Sequence, residues 1–134
     1  MAERSTTDRR AATVLELAAA RGARGALPMS TVLWVLAASR LVVPAAADAP
    51  ERPGAFQPVL LQREGQAFVP VFAHQDLLAA SGITSGGFIE APGGAFMSQV
   101  PAGTGLAVNL GSSGGFELPA AQLATFVAEL TGTR

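Results

Sequence analysis

The sequence predicts a small α+β domain in which helices pack on one mixed sheet of about four to six strands. Residues 58–72 have the pattern of a β-hairpin, and its second arm leads directly into a short helix. Near the end of the chain, four apolar residues recur at the spacing of a helix face. Two further helices and a strand are predicted before the hairpin, so the order of elements indicates one mixed domain.

The hairpin is predicted to turn at residues 63–66, where Arg-Glu-Gly-Gln separates two apolar runs. On the second arm, alternate residues starting at Phe68 point to one side and those starting at Ala67 to the other, and both sets are apolar. We therefore expect this strand to be covered on both faces. The period changes after the strand, and a helix is predicted over residues 75–80, ended by Gly82.

The region before the hairpin contains two predicted helices. Apolar residues at helical spacing predict the first over residues 9–21, ended by Gly22 and Gly25. Ser30 is the predicted N-cap of the second, residues 31–39, because its hydroxyl oxygen can accept from a free backbone N–H. That helix is apolar almost all round, which predicts burial.

The predicted boundaries leave one folded unit. Residues 1–9 are expected to form a flexible tail, and residues 10–134 a single domain. Residues 41–44 are a predicted strand, and the proline-containing residues 45–57 are a predicted loop.

The elements after Gly82 are short until the last helix. A strand is predicted around Phe88, a helical turn over 96–100, and strands over 105–110 and 116–118, the last two joined by a tight connection. Pro119 suits the first turn of the final helix. On that helix the apolar residues at i, i+3, i+4 and i+7 are Leu123, Phe126, Val127 and Leu130.

Composition and charge exclude several classes of protein. Hydrophobic residues make up 49% of the chain and charged residues 14%, and the mean hydropathy of +0.36 argues against a disordered chain. The nine cations are all arginine, a bias typical of GC-rich genomes, and the net charge is −1. Because the arginines are interleaved with acidic residues up to Arg63 and nearly absent afterwards, nucleic-acid binding is not expected.

Cysteine usage and hydropathy bear on compartment and metals. With no cysteine, the chain has neither a disulfide nor a thiolate metal site. The polar amino terminus lacks an apolar signal core, and the apolar stretch over residues 26–43 is interrupted by Pro28, Ser30 and Arg40. We expect a cytoplasmic protein without a membrane partner.

Several short motifs together resemble one known family. They are Leu41-Val-Val-Pro44, the Gly65 turn, Val69-Pro-Val-Phe72 before a helix, and residues 100–109, Val-Pro-Ala-Gly-Thr-Gly-Leu-Ala-Val-Asn. Their order and spacing resemble the N-terminal domain of SseB-family proteins over about residues 10–130. The resemblance implies an α+β fold. The family is named for an enhanced serine sensitivity phenotype and its domain is often labelled secretion-related, but neither implies a chemistry or a catalytic residue.

Two departures from the family pattern mark candidate site residues. Where the family has Phe-Thr-Ser, this chain has Phe72-Ala73-His74, which lacks both hydroxyls that could cap the following helix. Where the family has Asn-Pro-Gly, the chain has Asn109-Leu-Gly111. A ligand site built on those hydroxyls is not expected here. The candidate ligand or interface residues are Phe72, His74, Asn109 and Gly111.

No set of residues predicts catalysis or metal binding. His74 is the only histidine, with Asp76, Ser81 and Ser85 close in sequence, but a Ser-His-Asp arrangement is a matter of geometry. We interpret His74 as a surface residue at a helix start, acting as a weak cap. One histidine and scattered carboxylates do not supply the three or four ligands of a metal site, and no cofactor is expected.

The glycine clusters near Gly86, Gly103 and Gly111 lack the spacing and the lysine of phosphate-binding loops and are interpreted as turns. Trp34 is either an interface anchor or a core residue, and its apolar neighbours favour the core.

These observations favour a non-enzymatic protein-interaction or regulatory module whose partner is a protein, with a homodimer among the alternatives. The apolar fraction is high for a small monomer, and excess apolar surface is common in interfaces. A second hypothesis is a small-molecule binding domain that uses the loops around Gly103 and Gly111. The least favoured is an enzyme that uses His74 and Asp76.

Overall fold

Five helices and six strands form an α+β fold, as predicted, within the residues that the computed structural model describes: 12–46, 57–112 and 114–132. The predicted tail, most of the 45–57 loop and Ser113 lie outside these ranges. The helices are α1 (Val14–Ala23), α2 (Met29–Ala38), α3 (Gln75–Ser81), α4 (Gly93–Gln99) and α5 (Ala120–Thr131). The strands are β1 (Arg40–Pro44), β2 (Leu61–Arg63), β3 (Gln66–Val71), β4 (Phe88–Pro92), β5 (Thr104–Val108) and β6 (Phe116–Leu118).

The predicted hairpin is confirmed and consists of β2 and β3. Leu61 pairs with Phe68, and Arg63 pairs with Gln66. The turn residues Glu64 and Gly65 both have positive φ, 53° and 81°. This backbone conformation matches the twist of the two strands and accounts for the glycine in the turn.

Strand β3 lies inside a four-stranded sheet of order β2-β3-β5-β6, in which β3 and β5 are parallel. Strands β1 and β4 form a separate antiparallel pair. The two sheets are linked where Val42 exchanges backbone hydrogen bonds with Phe72, at 2.8 and 2.9 Å. The predicted single sheet is therefore two sheets joined at one residue pair beyond the end of β3.

The strand faces divide the core into two clusters. Val69 and Val71 of β3 belong to a main cluster between the sheets and helices α1, α2, α4 and α5. Phe72 lies in a second cluster with Val42 and Leu78, beneath α3. Residues 68–72 are all buried, which confirms that the second arm of the hairpin is covered on both faces.

Helix α1 differs from its prediction at both ends. It begins at Val14, where the side chains and backbones of Thr13 and Glu16 form a reciprocal capping box. It continues through Gly22 to Ala23. A Cβ at Gly22 would lie 2.7 Å from the Val32 side chain of α2, so this glycine permits close packing of two helices instead of ending one.

Helix α2 begins two residues earlier than predicted, and Ser30 is not its cap. Pro28 occupies the N-cap position with φ −63° and ψ 147°, and Ser30 lies inside the helix. Proline presets the backbone for a helix start and tolerates the absence of a side-chain cap.

The α4 prediction was too short and began too late. The helix starts at Gly93, where a Cβ would collide with the backbone oxygen of Leu36, so the close approach of α2 requires glycine there. Strand β5 ends at Val108, before the predicted Leu110, because Asn109 adopts φ 53°. The strands at Phe88 and residues 116–118 and the amphipathic last helix are confirmed.

Replacement of Gly22 by alanine tests the α1–α2 contact. In an open helix this change stabilises by about 1 kcal/mol. Here we expect a loss of about 1–2 kcal/mol, because the new methyl group meets Val32. Urea unfolding of Gly22→Ala, Val32→Ala and the double variant measures the coupling.

In the Val32→Ala background, the Gly22→Ala change should be neutral or stabilising, because the crowding atom is gone. Stabilisation by Gly22→Ala alone would contradict the contact.

Candidate functional site

Asn109 is the buried polar residue of the described core, with 1% of its surface exposed. It follows the last residue of β5 and adopts the left-handed conformation, which asparagine tolerates better than most residues. Its Oδ1 accepts from the Ala73 N–H at 2.9 Å, and its own N–H donates to the Val71 oxygen at 2.9 Å. Asn109 thus joins the carboxyl ends of the two parallel strands.

The other candidate residues surround this point, and we call Phe72, His74, Asn109 and Gly111 the Asn109 junction. Phe72 is fully buried and carries the hydrogen bonds between the two sheets. Gly111 has φ 85° and lies beside the end of α3, since a Cβ there would be 3.6 Å from the Ser81 Cα. Phe72 and His74 flank Ala73, the donor to Asn109, whereas Gly111 is exposed and lies beside Ser81 at the far end of α3.

His74 is the N-cap of α3, and its Nδ1 accepts from the Asp76 N–H at 3.0 Å. This confirms the interpretation of His74 as a cap. The imidazole nitrogen of His74 therefore caps α3, as the hydroxyls of the family's Phe-Thr-Ser pattern could have done.

Of the side chains close to His74 in sequence, Asp76 lies beside it and Ser81 does not. His74 Nδ1 lies 3.6 Å from Asp76 Oδ2. Ser81 is at the far end of α3, about 10 Å away along the helix axis. Its hydroxyl donates to the Leu78 oxygen at 2.7 Å and accepts from the Ile83 N–H at 3.1 Å, so it caps the helix end. Within the described residues, no group of three or more potential ligands could hold a metal ion.

The glycine loops proposed for a small ligand are far apart. Gly103 precedes β5 and Gly111 follows it, so the two loops lie at opposite ends of the strand. They cannot line one small-molecule site together. The groove at Gly103, about 330 Å³ between α4 and α5, is lined by apolar and small polar residues without an ionisable group.

The SseB protein N-terminal domain matches residues 15–125 of this chain. The chain belongs to the SseB family. Searches among curated proteins and solved structures each found no match. In the described part of this SseB-family chain, no helix is both long and apolar enough to cross a membrane.

Trp34 lies outside the core of the SseB-family domain, which corrects the prediction of burial. It is 45% exposed, and its ring packs edge-on against Phe126 of α5, with centroids 5.0 Å apart and planes at 72°. The buried stripe of α2 runs through Val32, Leu33 and Leu36. Trp34 lies about 100° or more around the helix from each of these residues, and therefore off the buried stripe.

A groove of about 490 Å³ adjoins this aromatic pair. We call Trp34 and the residues that line the groove the α2–α5 face. Helix α4 packs against α2 and also against α5, and the groove lies between α2 and α5. The lining residues are Met29, Ser30, Leu33, Ala121, Gln122, Thr125, Phe126 and Glu129.

The Asn109 junction predicts unequal effects of two replacements. Asn109→Gly removes the acceptor for the Ala73 N–H, but glycine adopts the positive φ of this position without strain. We expect the free energy of unfolding to fall by about 1–3 kcal/mol. Asn109→Ala also removes the acceptor and adds the strain of a left-handed alanine, so we expect the free energy of unfolding to fall by about 2–4 kcal/mol. Chemical denaturation measures both. Equal stability of either variant and wild type would contradict a stabilising role for the side chain.

The cap at His74 predicts a smaller effect. His74→Ala removes the acceptor for the Asp76 N–H, and we expect a loss of about 0.5–1 kcal/mol. His74→Ser keeps an acceptor at the N-cap and should retain wild-type stability in thermal unfolding. A serine variant as unstable as the alanine variant would show that the ring acts through packing and not through the cap.

Proposed function

We propose that this chain is a non-enzymatic interaction module of the SseB family that self-associates through the α2–α5 face. The observation that supports this proposal best is the exposure of two large apolar side chains, Trp34 and Met29, beside an apolar groove. Tryptophan is the residue type most enriched among side chains that dominate binding energy.

The shape of the face supports a second copy as the partner. A two-fold contact uses the same patch on both subunits, so the patch must contain both a projection and a recess. Trp34 projects from α2, and the groove beside Phe126 is a recess on the same face. An aromatic ring from one copy can therefore enter the groove of the other.

The charges on the face are also compatible with pairing of identical surfaces. Glu129 is the ionisable residue among those that line the groove. The whole chain has a net charge of −1, so two copies repel each other weakly. Pairing of two copies therefore does not require like charges to face each other at the centre of the contact.

The area of the α2–α5 face limits the affinity of the proposed dimer. Helices of this length are about 15–18 Å long, so two of them present on the order of a few hundred Å². Stable complexes bury about 800 Å² per partner. We therefore expect a weak dimer with a Kd on the order of micromolar, whose population depends on concentration.

The candidate catalytic groups instead have structural roles, which supports the non-enzymatic part of the proposal. The His74 ring and the Ser81 hydroxyl each cap one end of α3. The Asn109 amide oxygen holds the sheet junction.

Sedimentation velocity at increasing concentration tests the proposed dimer. The wild type should shift from monomer to dimer, and Trp34→Arg should remain monomeric. Gln122→Arg places a charge in the groove without touching the core and should weaken the dimer at least about tenfold, as expected for a charge buried without a partner.

Leu17→Arg is the matched control, because Leu17 on α1 is also 45% exposed but does not line the groove. Circular dichroism verifies that each variant is folded. A wild type that stays monomeric, or a dimer unaffected by both face variants but lost with Leu17→Arg, would overturn the proposal.

A further inference from the structure

Strand β4 is the outer strand of the two-stranded sheet, and among the described strands it pairs with β1 alone. Phe88 and Ile89 at its start are 40% and 39% exposed. The free edge of such a strand presents backbone N–H and C=O groups that can pair with another extended chain.

The hydrogen bonds of β1 show which groups of β4 face outward. Val42 directs its N–H and C=O toward Phe72, so the pair Val42–Glu90 is not hydrogen-bonded. Hydrogen-bonded and non-hydrogen-bonded pairs alternate along an antiparallel ladder, so the N–H and C=O of Ile89 point toward β1. Those of Phe88 and Glu90 point away from β1, toward the outer edge of β4. The Ala45 N–H donates to the Gly87 oxygen at 2.8 Å. Gly87, two residues before Ile89, therefore also points its oxygen toward the β1 side, which agrees with this alternation.

A groove of about 570 Å³ lies beside this edge. Helix α3 and the segment after it form one side, with Leu78 and Ile83 as apolar lining, and Phe88 of β4 forms the other. A strand added to β4 would therefore hydrogen-bond to the edge and place alternate side chains along the groove.

The charges along the groove are acidic. Asp76 lies on its rim, and Glu90 is on the same face of β4 as Phe88. Glu90 makes a long contact of 3.6 Å with Arg40, and both side chains are more than half exposed. An exposed pair of this kind is weak and open to exchange of partners. A β4 strand from a second copy would bring further acidic charge to this edge, whereas a basic strand would neutralise it.

The geometry points to β4 as a docking edge for an extended peptide segment of another protein. The segment pairs with β4 through backbone hydrogen bonds at Phe88 and Glu90. On its groove side it carries an apolar residue next to Phe88 and, two positions away, an arginine or lysine next to Glu90. This site is separate from the α2–α5 face, and neither proposal depends on the other.

The test uses a labelled peptide, acetyl-Thr-Leu-Thr-Arg-Thr-Thr-amide, and amide hydrogen exchange read by NMR on the full chain. In the free protein, the Ile89 amide should be protected and the Phe88 and Glu90 amides should exchange rapidly. Saturation with the peptide should protect Phe88 and Glu90. A version with glutamate in place of arginine should bind several-fold more weakly, as expected for a rim charge.

Two variants at one position separate backbone pairing from charge. Glu90→Gln keeps the outward N–H and should weaken binding severalfold. Glu90→Pro removes that N–H while leaving the β1 ladder intact, and should weaken binding by about tenfold or more. Circular dichroism verifies that both variants fold.

The proposal is overturned if the peptide does not bind at millimolar concentration. It is also overturned if binding leaves the exchange of Phe88 and Glu90 unchanged, or if Glu90→Pro binds as wild type does. Protection of the two amides that rises with protein concentration without peptide would show that a second copy occupies the edge instead.

Discussion

The hydrogen bond from the Ala73 N–H to Asn109 Oδ1 is the constraint on which the arrangement of the chain depends. It ties the ends of β3 and β5, the parallel pair at the centre of the larger sheet. At the same place Phe72 links that sheet to β1, and His74 begins α3. A buried polar group is stable only with its partners in place, so the Asn109 side chain favours one register of the parallel strands β3 and β5. The proposed interaction surfaces lie away from it, on α2, α5 and β4.

The local elements could be predicted because each depends on residues close in sequence. The hairpin turn at Glu64 and Gly65 requires positive φ, which the glycine makes visible. The last helix has a clear apolar stripe, and its buried residues Leu123 and Phe126 lie on that stripe. Gly22 could not be interpreted in this way, because its role depends on Val32 of another helix. A glycine required for close packing and one that ends a helix are identical in a single sequence.

The candidate site was predicted in part for the same reason. His74 and Asn109, which lie at the two departures from the family pattern, both satisfy backbone groups of this chain: His74 accepts from the Asp76 N–H and Asn109 from the Ala73 N–H. What the sequence could not indicate was the accessible surface. Trp34 on an apolar helix resembles a core residue until the buried stripe through Val32 and Leu36 is known. Among the described strands β4 pairs with β1 alone, and such an edge depends on strand order, which short apolar runs do not specify.

The proposed dimer buries Trp34 between two copies of the chain. Because Trp34 is the single tryptophan, its fluorescence reports this environment directly. The most direct measurement is its emission maximum from submicromolar to submillimolar protein concentration. If Trp34 is buried in the dimer, the emission maximum should shift to shorter wavelength as the dimer forms and return on dilution. A constant emission maximum while sedimentation shows association would place the contact elsewhere and contradict the burial of Trp34.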